Sequence, residues 1–260
     1  MNAARLARTA AAPREVIIFD VDGVLVDVRE SYQRTVLETV KHFTGKRVGR
    51  RELHEWKNRS GFNDDWTLTH AWVNRLGARF SYEDVKKQFE SLYWADGSRG
   101  NVSGERWLLP AKQLKRLSRR AKLAIFTGRT RAELSHTLER FDVRRYFSTI
   151  VTVESISKPK PDPEGLLQIL DGLPASKAIY LGDNVDDAFA AKAAGMAFVG
   201  VLPRGSVERR VRARRLRALG ALTILGDVAE IEKWLARQRT AAQDEKKRRQ
   251  KINRGAGTPA

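Results

Sequence analysis

The chain contains no cysteine, and this absence excludes several classes of protein at once. Disulfide-stabilised folds, zinc–thiolate centres and cysteine nucleophiles all need a thiol. Long apolar runs are absent as well, because no stretch approaches the ~20 residues that a membrane-spanning helix needs. Hydrophobic residues still make up 42% of the 260 residues, so the composition indicates a folded protein with a core. We expect a cytoplasmic protein that does not associate with membranes.

Acidic residues are few relative to basic ones, since 31 Asp and Glu stand against 49 Lys and Arg and leave a net charge of +18. The excess is uneven, because residues 204–260 hold 16 of the basic residues and six of the acidic ones. Runs of this kind are usually solvated helix faces. We expect at most weak, non-specific polyanion binding through the basic tail, and a nucleic-acid-associated protein stays open as an alternative. Residues 1–13 and 237–260 offer little to bury, and we expect both to be disordered.

Short apolar runs recur along the chain, and each one ends in polar residues or glycine. Near-continuous hydrophobicity without alternation is typical of strands that are buried on both faces of a parallel sheet. These runs are Val16–Phe19, Leu123–Phe126, Thr149–Val153, Ala178–Leu181 and Ala197–Val201. Helical patterns lie between them at the ~30-residue spacing of a βαβ unit. The sequence predicts an open, parallel, Rossmann-like α/β sheet with helices on both faces, built from residues 14–26 and 107–236.

The segment between the first and second predicted strands is much longer than this spacing. Its apolar residues follow helical spacing, and glycines end two of the patterns. Five of the six tryptophans of the chain lie in this gap. A tryptophan-rich helical insert is able to build a small core of its own. We therefore predict a second, α-helical domain over residues 27–106, which would lie over the sheet as a cap.

Polar side chains follow four of the predicted strands, where the carboxyl ends of parallel strands meet in one crevice. The residues expected to converge there are Asp20, Asp22, Thr127, Gly128, Arg129, Lys158, Asp183 and Asp187. Clustered carboxylates repel one another and call for a divalent cation, and an all-oxygen site favours Mg²⁺. One carboxylate is able to act as a nucleophile, while lysine, hydroxyl and N–H donors hold phosphoryl oxygens. The pattern favours phosphoryl transfer.

The spacing of the first two carboxylates adds to this prediction. Asp20 and Asp22 stand at i and i+2, so in a regular strand their side chains point the same way. The second carboxylate is then placed to protonate a leaving oxygen and later to deprotonate a water molecule. Neither GxxxxGK nor GxGxxG is present, so we expect no nucleotide cofactor. The four histidines also lack the spacing of metal ligands.

Four motifs in this order resemble the haloacid dehalogenase superfamily of aspartate-nucleophile phosphohydrolases, over Val16 to Leu235. They are Asp20–Leu25 (DVDGVL), Thr127–Arg129 (TGR), Lys158 in KPKPDP, and Gly182–Asp187 (GDNVDD). The helical insert resembles the small cap of the phosphoglycolate phosphatase and β-phosphoglucomutase branch. An aspartate at position 22 argues against a dehalogenase, which needs no acid, and against the transport ATPases, which carry threonine there.

The resemblance implies a role for each matching residue. Asp20 would be the nucleophile and a metal ligand, and Asp22 the general acid/base that also binds metal through its backbone carbonyl. Thr127, Gly128 and Arg129 would bind phosphate, and Lys158 would steady the nucleophile and the phosphate. Asp183 would ligate Mg²⁺, with Asp187 supporting the metal site from behind.

The substrate is expected to be chosen by the cap. The polar stretch 57–66 lies between two helical patterns and is predicted to be a loop facing the crevice. Lys57, Arg59 and Asn63 in this loop would bind a carboxylate or second anionic group of the substrate. A helix-capping loop with Asn63 as the N-cap is the alternative. We predict a phosphatase of a small phosphorylated metabolite, with a phosphomutase of the β-phosphoglucomutase type as the alternative.

Overall fold

The apolar runs of the sequence form a parallel sheet of six strands. The computed structural model describes residues 15–62, 64–95, 99–173, 175 and 177–255. The strands of the sheet are β1 (Glu15–Phe19), β4 (Ala121–Phe126), β5 (Phe147–Val151), β6 (Ala178–Gly182), β7 (Ala197–Val201) and β8 (Ala221–Leu225). Their order is β5-β4-β1-β6-β7-β8. The third strand begins and ends two residues earlier than the sequence predicts, and the predicted fold class is confirmed.

The strand order explains why one edge of the sheet carries the polar motifs. Strand β1 lies in the middle, paired in parallel with β4 on one side and β6 on the other. The chain builds outward from β1 in both directions, so the connections after β1 and β6 diverge and leave a crevice between them. The segments that follow β1, β4 and β6 therefore open into the same crevice.

Helices cover both faces of the sheet. They are α5 (Ala111–Arg120), α6 (Arg131–Arg140), α7 (Glu164–Gly172), α8 (Val185–Ala193), α9 (Arg209–Ala218) and α10 (Ile231–Gly255). Alternate side chains of β1 enter two separate hydrophobic clusters: Ile17 and Phe19 one of them, Val16 and Ile18 the other. Because side chains on both faces of this central strand are buried, its sequence is a continuous apolar run. Among the described helices, none is both long and apolar enough to cross a bilayer.

Four helices form the insert between β1 and β4. They are α1 (Tyr32–Thr44), α2 (Arg50–Lys57), α3 (Asp65–Arg75) and α4 (Tyr82–Trp94). The chain enters and leaves them through a short antiparallel pair, β2 (Val26–Asp27) and β3 (Arg106–Trp107). Arg106 donates to Asp27 at 2.7 Å across this pair. The pair lies where the domain division at residues 27 and 106 is proposed.

One of the two terminal predictions is corrected. The tail from residue 237 is not an unstructured segment, because α10 continues to Gly255. Alanine, arginine, glutamine, glutamate and lysine all favour helix, and buried Ile231 and Leu235 anchor the first turns of α10 in the core. The predicted disorder of residues 1–13 and 256–260 lies outside the described residues.

Two glycines of α7 offer a test of the packing between this helix and the sheet. A Cβ on Gly165 would lie 2.2 Å from the buried Phe126 ring, whereas a Cβ on Gly172 meets nothing within 4 Å. We expect Gly165→Ala to lower the free energy of unfolding by about 2 kcal/mol through overpacking. Gly172→Ala, the control, should be neutral or more stable by up to about 1 kcal/mol. Urea denaturation measures both, and equal stability of the two variants would contradict this packing.

Candidate active site

Strand β1 delivers two aspartates to the crevice. Asp20 is 4% exposed, and its N–H donates to the carbonyl of Leu181 at 2.8 Å, which extends the pairing with β6 by one residue. Asp22 follows in a tight loop. Gly23 has a φ of +77°, and a Cβ there would lie 2.6 Å from Oδ2 of Asp183. Glycine therefore lets the loop after β1 approach the end of β6 closely.

A buried lysine ties the ends of β1 and β6 together. Nζ of Lys160 donates to Oδ1 of Asp20 at 2.8 Å, to Oδ1 of Asp187 at 2.8 Å and to the hydroxyl of Tyr180 at 3.0 Å. The side chain of Lys160 is 1% exposed. Burial alone would lower the pKa of this ammonium, but the carboxylates of Asp187 and Asp20 outweigh burial and raise it. Lys160 is therefore a fixed positive charge, and its three donors match its three partners.

The lysine expected beside Asp20 was Lys158, and that expectation is wrong. The side chain of Lys158 is exposed, whereas Lys160 occupies the place against Asp20. The carboxylate of Glu164 explains the difference, because it accepts from the backbone N–H of Ser157 at 2.9 Å and that of Lys158 at 2.8 Å. This clamp fixes the loop so that the second lysine of the KPKP segment turns inward.

Asp187 supports this arrangement but has no oxygen to spare. Its Oδ1 accepts from Lys160 and, at 2.7 Å, from the hydroxyl of Tyr180. Its Oδ2 accepts from the backbone N–H groups of Asp183 at 3.0 Å and Asn184 at 3.2 Å. Asp187 therefore fixes the turn between β6 and α8 and holds Lys160, and its place behind direct metal ligands stays a prediction.

Three carboxylates nevertheless converge at the floor of the crevice. Asp20, Asp183 and Asp187 each offer an oxygen, and these oxygens lie within 4.8 Å of one another. Burial raises the pKa of Asp20 well above its usual range, the carboxylates of Asp187, Asp22 and Asp183 raise it further, and Lys160 opposes the increase. The cluster holds more negative charge than its lysine balances. A divalent cation would supply the missing positive charge.

The unused oxygens of the cluster fit a hard cation. Lys160 takes only Oδ1 of Asp20, and Arg212 takes only Oδ2 of Asp183. Among the described residues, no donor bonds the other oxygen of either carboxylate or the backbone carbonyl of Asp22. Two carboxylate oxygens and a carbonyl oxygen are the donor types that Mg²⁺ prefers. Asp20, Asp183 and the Asp22 carbonyl are the groups that would hold it.

An arginine of α9 contacts the same cluster. Nη2 of Arg212 donates to Oδ2 of Asp183 and to its backbone carbonyl, both at 3.0 Å. Arg212 is 8% exposed, although it belongs to a segment that carries five other arginines. Burial raises the pKa of Asp183 and Arg212 opposes that increase, so the arginine favours the ionised carboxylate.

A second buried arginine positions Asp22. Nε and Nη2 of Arg129 donate to Oδ1 of Asp22 at 2.9 and 2.6 Å. The same guanidinium donates to Glu105 at 2.7 Å and to the hydroxyl of Thr137 at 2.6 Å. Arg129 was expected to bind phosphate, and the structure instead directs its guanidinium to these carboxylates. Because only Oδ1 of Asp22 accepts from Arg129, Oδ2 is left for another partner.

The other two residues of the TGR motif keep their expected place at the end of β4. The N–H of Thr127 donates to the carbonyl of Val151 at 3.1 Å, and its hydroxyl accepts from the N–H of Arg129 at 3.2 Å. Gly128 lines the cavity beside Asp20. Phosphate binding by Thr127 and Gly128 stays a prediction, with Gly128 the residue that already faces the cavity.

A cavity of about 60 Å³ lies above the carboxylate cluster, between the sheet and the insert. From the core it is lined by Asp20, Asp22, Gly128, Arg129, Asp183 and Arg212. From the insert it is lined by Tyr32, Gln33, His54, Lys57, Asn58, Asp64, Asp65 and Trp66. Trp66 lines this cavity, and its buried Nε1 has no hydrogen-bond partner among the described residues.

The cap residues expected to meet the substrate differ in their placement. Nζ of Lys57 lies 2.8 Å from Asp65 and lines the cavity, so its charge is shared between the substrate side and this carboxylate. Arg59 is exposed and stacks over the Trp56 ring at 4.8 Å, away from the residues that line the cavity. Asn63 lies outside the described residues. Of the two described residues, Lys57 is placed to meet a ligand.

The insert is also bonded to the core beside the site. Asp186, in the first turn of α8, accepts from the hydroxyl of Ser60 at 2.7 Å and from the N–H of Gly61 at 3.1 Å. Asp186 is 2% exposed, and burial raises its pKa. These contacts hold the loop after α2 over the carboxylate cluster.

The two neighbouring lysines provide a matched test of the buried network. Lys160→Met removes the positive charge between two buried carboxylates, which should lower the free energy of unfolding by about 3–5 kcal/mol. Lys158→Met changes an exposed side chain and should shift stability by less than about 0.5 kcal/mol. Chemical denaturation measures both variants. If Lys158→Met were the more damaging change, the lysine assignment made from the structure would be wrong.

Sequence reasoning missed several residues of the site. Arg212 had a usable signal, because it stands four residues before the buried Leu216 and so shares its helical face. Lys160 differs from Lys158 only by two places in an irregular loop, where no periodicity applies. Glu105 carries no local signal, since its partners lie far from it along the chain.

A family model described as haloacid dehalogenase-like hydrolase matches residues 17–201. An imidazoleglycerol-phosphate dehydratase of Phytophthora nicotianae is 32% identical over 219 residues, which are 81% of this chain and 48% of that protein. The chain thus spans about half the length of this relative. Pyrophosphatase PpaX of Bacillus velezensis is 26% identical, over 71% of this chain and 82% of that protein. Phosphoglycolate phosphatase of Pseudomonas fluorescens is 26% identical, over 72% and 68%.

Two solved structures with the same fold superpose on this chain over nearly their whole length. A haloacid dehalogenase-like protein of Agrobacterium tumefaciens superposes with a TM-score of 0.68 at 20% identity, over 88% of this chain and 100% of that one. A phosphonoacetaldehyde hydrolase-like protein of Oleispira antarctica superposes with a TM-score of 0.67 at 20% identity, over 87% and 92%. At this identity the likeness concerns the fold.

Proposed function

Because this chain belongs to the haloacid dehalogenase-like hydrolase family, we propose that it is a cytoplasmic, Mg²⁺-dependent phosphatase of a small phosphorylated metabolite. The observation that carries the proposal is the arrangement around Asp20. One of its carboxylate oxygens is held by Lys160, and the other is left free within a cluster that includes Asp183. A carboxylate held in this way is oriented for attack, and the cavity above it gives a phosphoryl group access.

The first half-reaction transfers the phosphoryl group to the protein. The free oxygen of Asp20 forms a bond to phosphorus while the bond from phosphorus to the leaving oxygen breaks. Asp22 donates a proton to that leaving oxygen, so the product departs as a neutral alcohol. Mg²⁺ held by Asp183, the Asp22 carbonyl and the Asp20 oxygen that also accepts from Lys160 would supply positive charge that offsets the repulsion between the carboxylate and the phosphoryl oxygens, and the other oxygen of Asp20 stays available for attack.

The second half-reaction restores the enzyme. Asp22, now ionised, takes a proton from a water molecule, which attacks the aspartyl-phosphate and releases inorganic phosphate and free Asp20. Arg129 has its role here, because its two hydrogen bonds to Oδ1 keep the carboxylate of Asp22 from turning away from the cavity. The donors at Thr127 and Gly128 would hold negative charge as it moves among the phosphoryl oxygens, while Lys160 steadies Asp20.

The nucleophile is tested by Asp20→Asn, which keeps the shape of the side chain and removes its nucleophilic oxygen. We expect phosphate release to fall by at least ~10³-fold. Asp171→Asn, an exposed change on α7, is the matched control and should retain full activity. EDTA should inactivate the wild type, and added Mg²⁺ should restore it. Wild-type release of phosphate by Asp20→Asn would exclude this carboxylate as the nucleophile.

The acid role of Asp22 predicts a dependence on the leaving group. Asp22→Asn should lower the rate on alkyl phosphates by about 10²–10⁴-fold, because their alkoxides leave poorly without a proton. The loss on nitrophenyl phosphate should be much smaller, since this phenolate leaves without help. Steady-state kinetics on a series of phosphomonoesters measures the trend. Equal losses across the series would show that Asp22 does not protonate the leaving oxygen.

A screen of phosphate release over ~100 phosphorylated metabolites would identify the substrate class. The relative from P. nicotianae is named for imidazoleglycerol phosphate, and those from B. velezensis and P. fluorescens are named for pyrophosphate and phosphoglycolate. All three compounds, and imidazole-bearing alcohol phosphates, belong in the panel. Conversion of a sugar phosphate without net phosphate release would indicate a phosphomutase and contradict the proposal.

A further inference from the structure

A second cavity, of about 300 Å³, opens beside the first between the insert and the core. Four arginines dominate its wall, and two carboxylates, Asp27 and Asp183, also line it. The arginines are Arg29, Arg50, Arg204 and Arg212. We call this space the arginine cavity. Its lining side chains include four cations and two anions, and Arg50 and Arg204 pair with Glu30 and Glu230, which do not line it.

The arginine cavity continues from the small cavity above Asp20. The residues that line both are Gly23, Val28, Gln33, His54, Asp183 and Arg212. A molecule whose reacting phosphate lies at Asp20 would therefore extend its far end into the arginine cavity. Gln33 lines both spaces, and its buried Oε1 has no hydrogen-bond donor among the described residues.

Two of these arginines retain hydrogen-bonding capacity. Nη2 of Arg50 donates to Oε1 of Glu30 at 2.6 Å and to the carbonyl of Arg29 at 3.0 Å, while its Nε is buried without a partner. Arg204 donates through Nη2 to Glu230 at 2.6 Å, and no other side-chain bond of Arg204 is present among the described residues. A guanidinium has five N–H donors, so both have several left for a bidentate anion.

The buried His54 is surrounded by positive charges. Burial lowers its pKa, and Arg212, Lys57 and Arg50 lower it further, to about 3. Three cations thus act on one point in the wall that the two cavities share. His54 is neutral at physiological pH, so it does not add to their charge. The positive charges in this wall favour binding of an anion and would repel a cationic ligand.

We propose that the arginine cavity binds a second phosphate group of the substrate, which makes the preferred substrate a small bisphosphate. One phosphate reacts at Asp20, and the other is held by Arg50 and Arg204. This inference rests on the proposed function. It assigns the choice of substrate to Arg50, at the start of α2 in the insert, and to Arg204, after β7, whereas Arg59 stacks on Trp56.

The experiment compares alkanediol bisphosphates of different chain length with the matching monophosphates. Arg50→Gln and Arg204→Gln should each lower kcat/KM for the best bisphosphate about 10-fold or more, the loss expected for one charge-assisted hydrogen bond. Their kcat/KM for monophosphates should change less than about 3-fold. Arg51→Gln, on α2 next to Arg50, and Arg210→Gln, on α9, change exposed arginines that do not line the cavity, and they should behave as wild type.

A binding measurement separates this inference from the proposed function. Calorimetry of the Asp20→Asn protein should give at least about 10-fold tighter binding of the bisphosphate than of the monophosphate, and Arg50→Gln in that background should remove the difference. Tighter binding of bisphosphate with no phosphate release by the wild type would support the cavity and refute the phosphatase. Phosphate release with equal binding of both compounds, or equal losses in the control variants, would overturn the arginine cavity. A preference for a carboxylate in place of the second phosphate would overturn it too.

Discussion

The site depends on the ion pairs that Lys160 forms with Asp20 and Asp187. Desolvating a charge costs several kcal/mol, and a buried ion persists only where opposite charges and hydrogen bonds replace its water. Lys160 meets this condition with two carboxylates and the hydroxyl of Tyr180. The same contacts join the ends of β1 and β6, so one buried cation both stabilises the sheet edge and leaves a single oxygen of Asp20 available.

The helical insert takes part in the site through the core residues that it helps to hold. Glu105 lies where the chain returns from the insert, and it fixes Arg129, which in turn holds Asp22. Asp186 holds the loop after α2 through Ser60. The orientation of the acid/base candidate therefore depends on where the insert returns to the sheet.

The sheet and the carboxylates could be predicted because both follow from local pattern. Buried strands are continuous apolar runs, and Asp20 and Asp183 directly follow two of them, so the parallel topology alone brings them together. The choice between Lys158 and Lys160 depends on a carboxylate six residues away in an irregular loop. The direction of Arg129 depends on Glu105, a partner 24 residues away in the chain. Long side chains reach 6 Å or so beyond their backbone, and local sequence carries no record of which neighbour they find. The helical tail was missed because a segment without an apolar face resembles a disordered one, although its residues favour helix.

Which arginines contact the site becomes clear only in the folded structure. Along the sequence, α9 looks like a solvated basic helix, and most of its arginines are exposed. Arg212 is the exception, because it shares a face with Leu216 and so turns toward Asp183. Around it the cations stand on the wall of the crevice, whereas the carboxylates gather at its floor. A phosphorylated molecule approaching this crevice meets attraction before repulsion, and the repulsion at the floor is what a divalent cation would remove. Under the proposed function the two charge groups would act in sequence: the wall would attract an anion, and the floor would accept it once a cation neutralises the carboxylates.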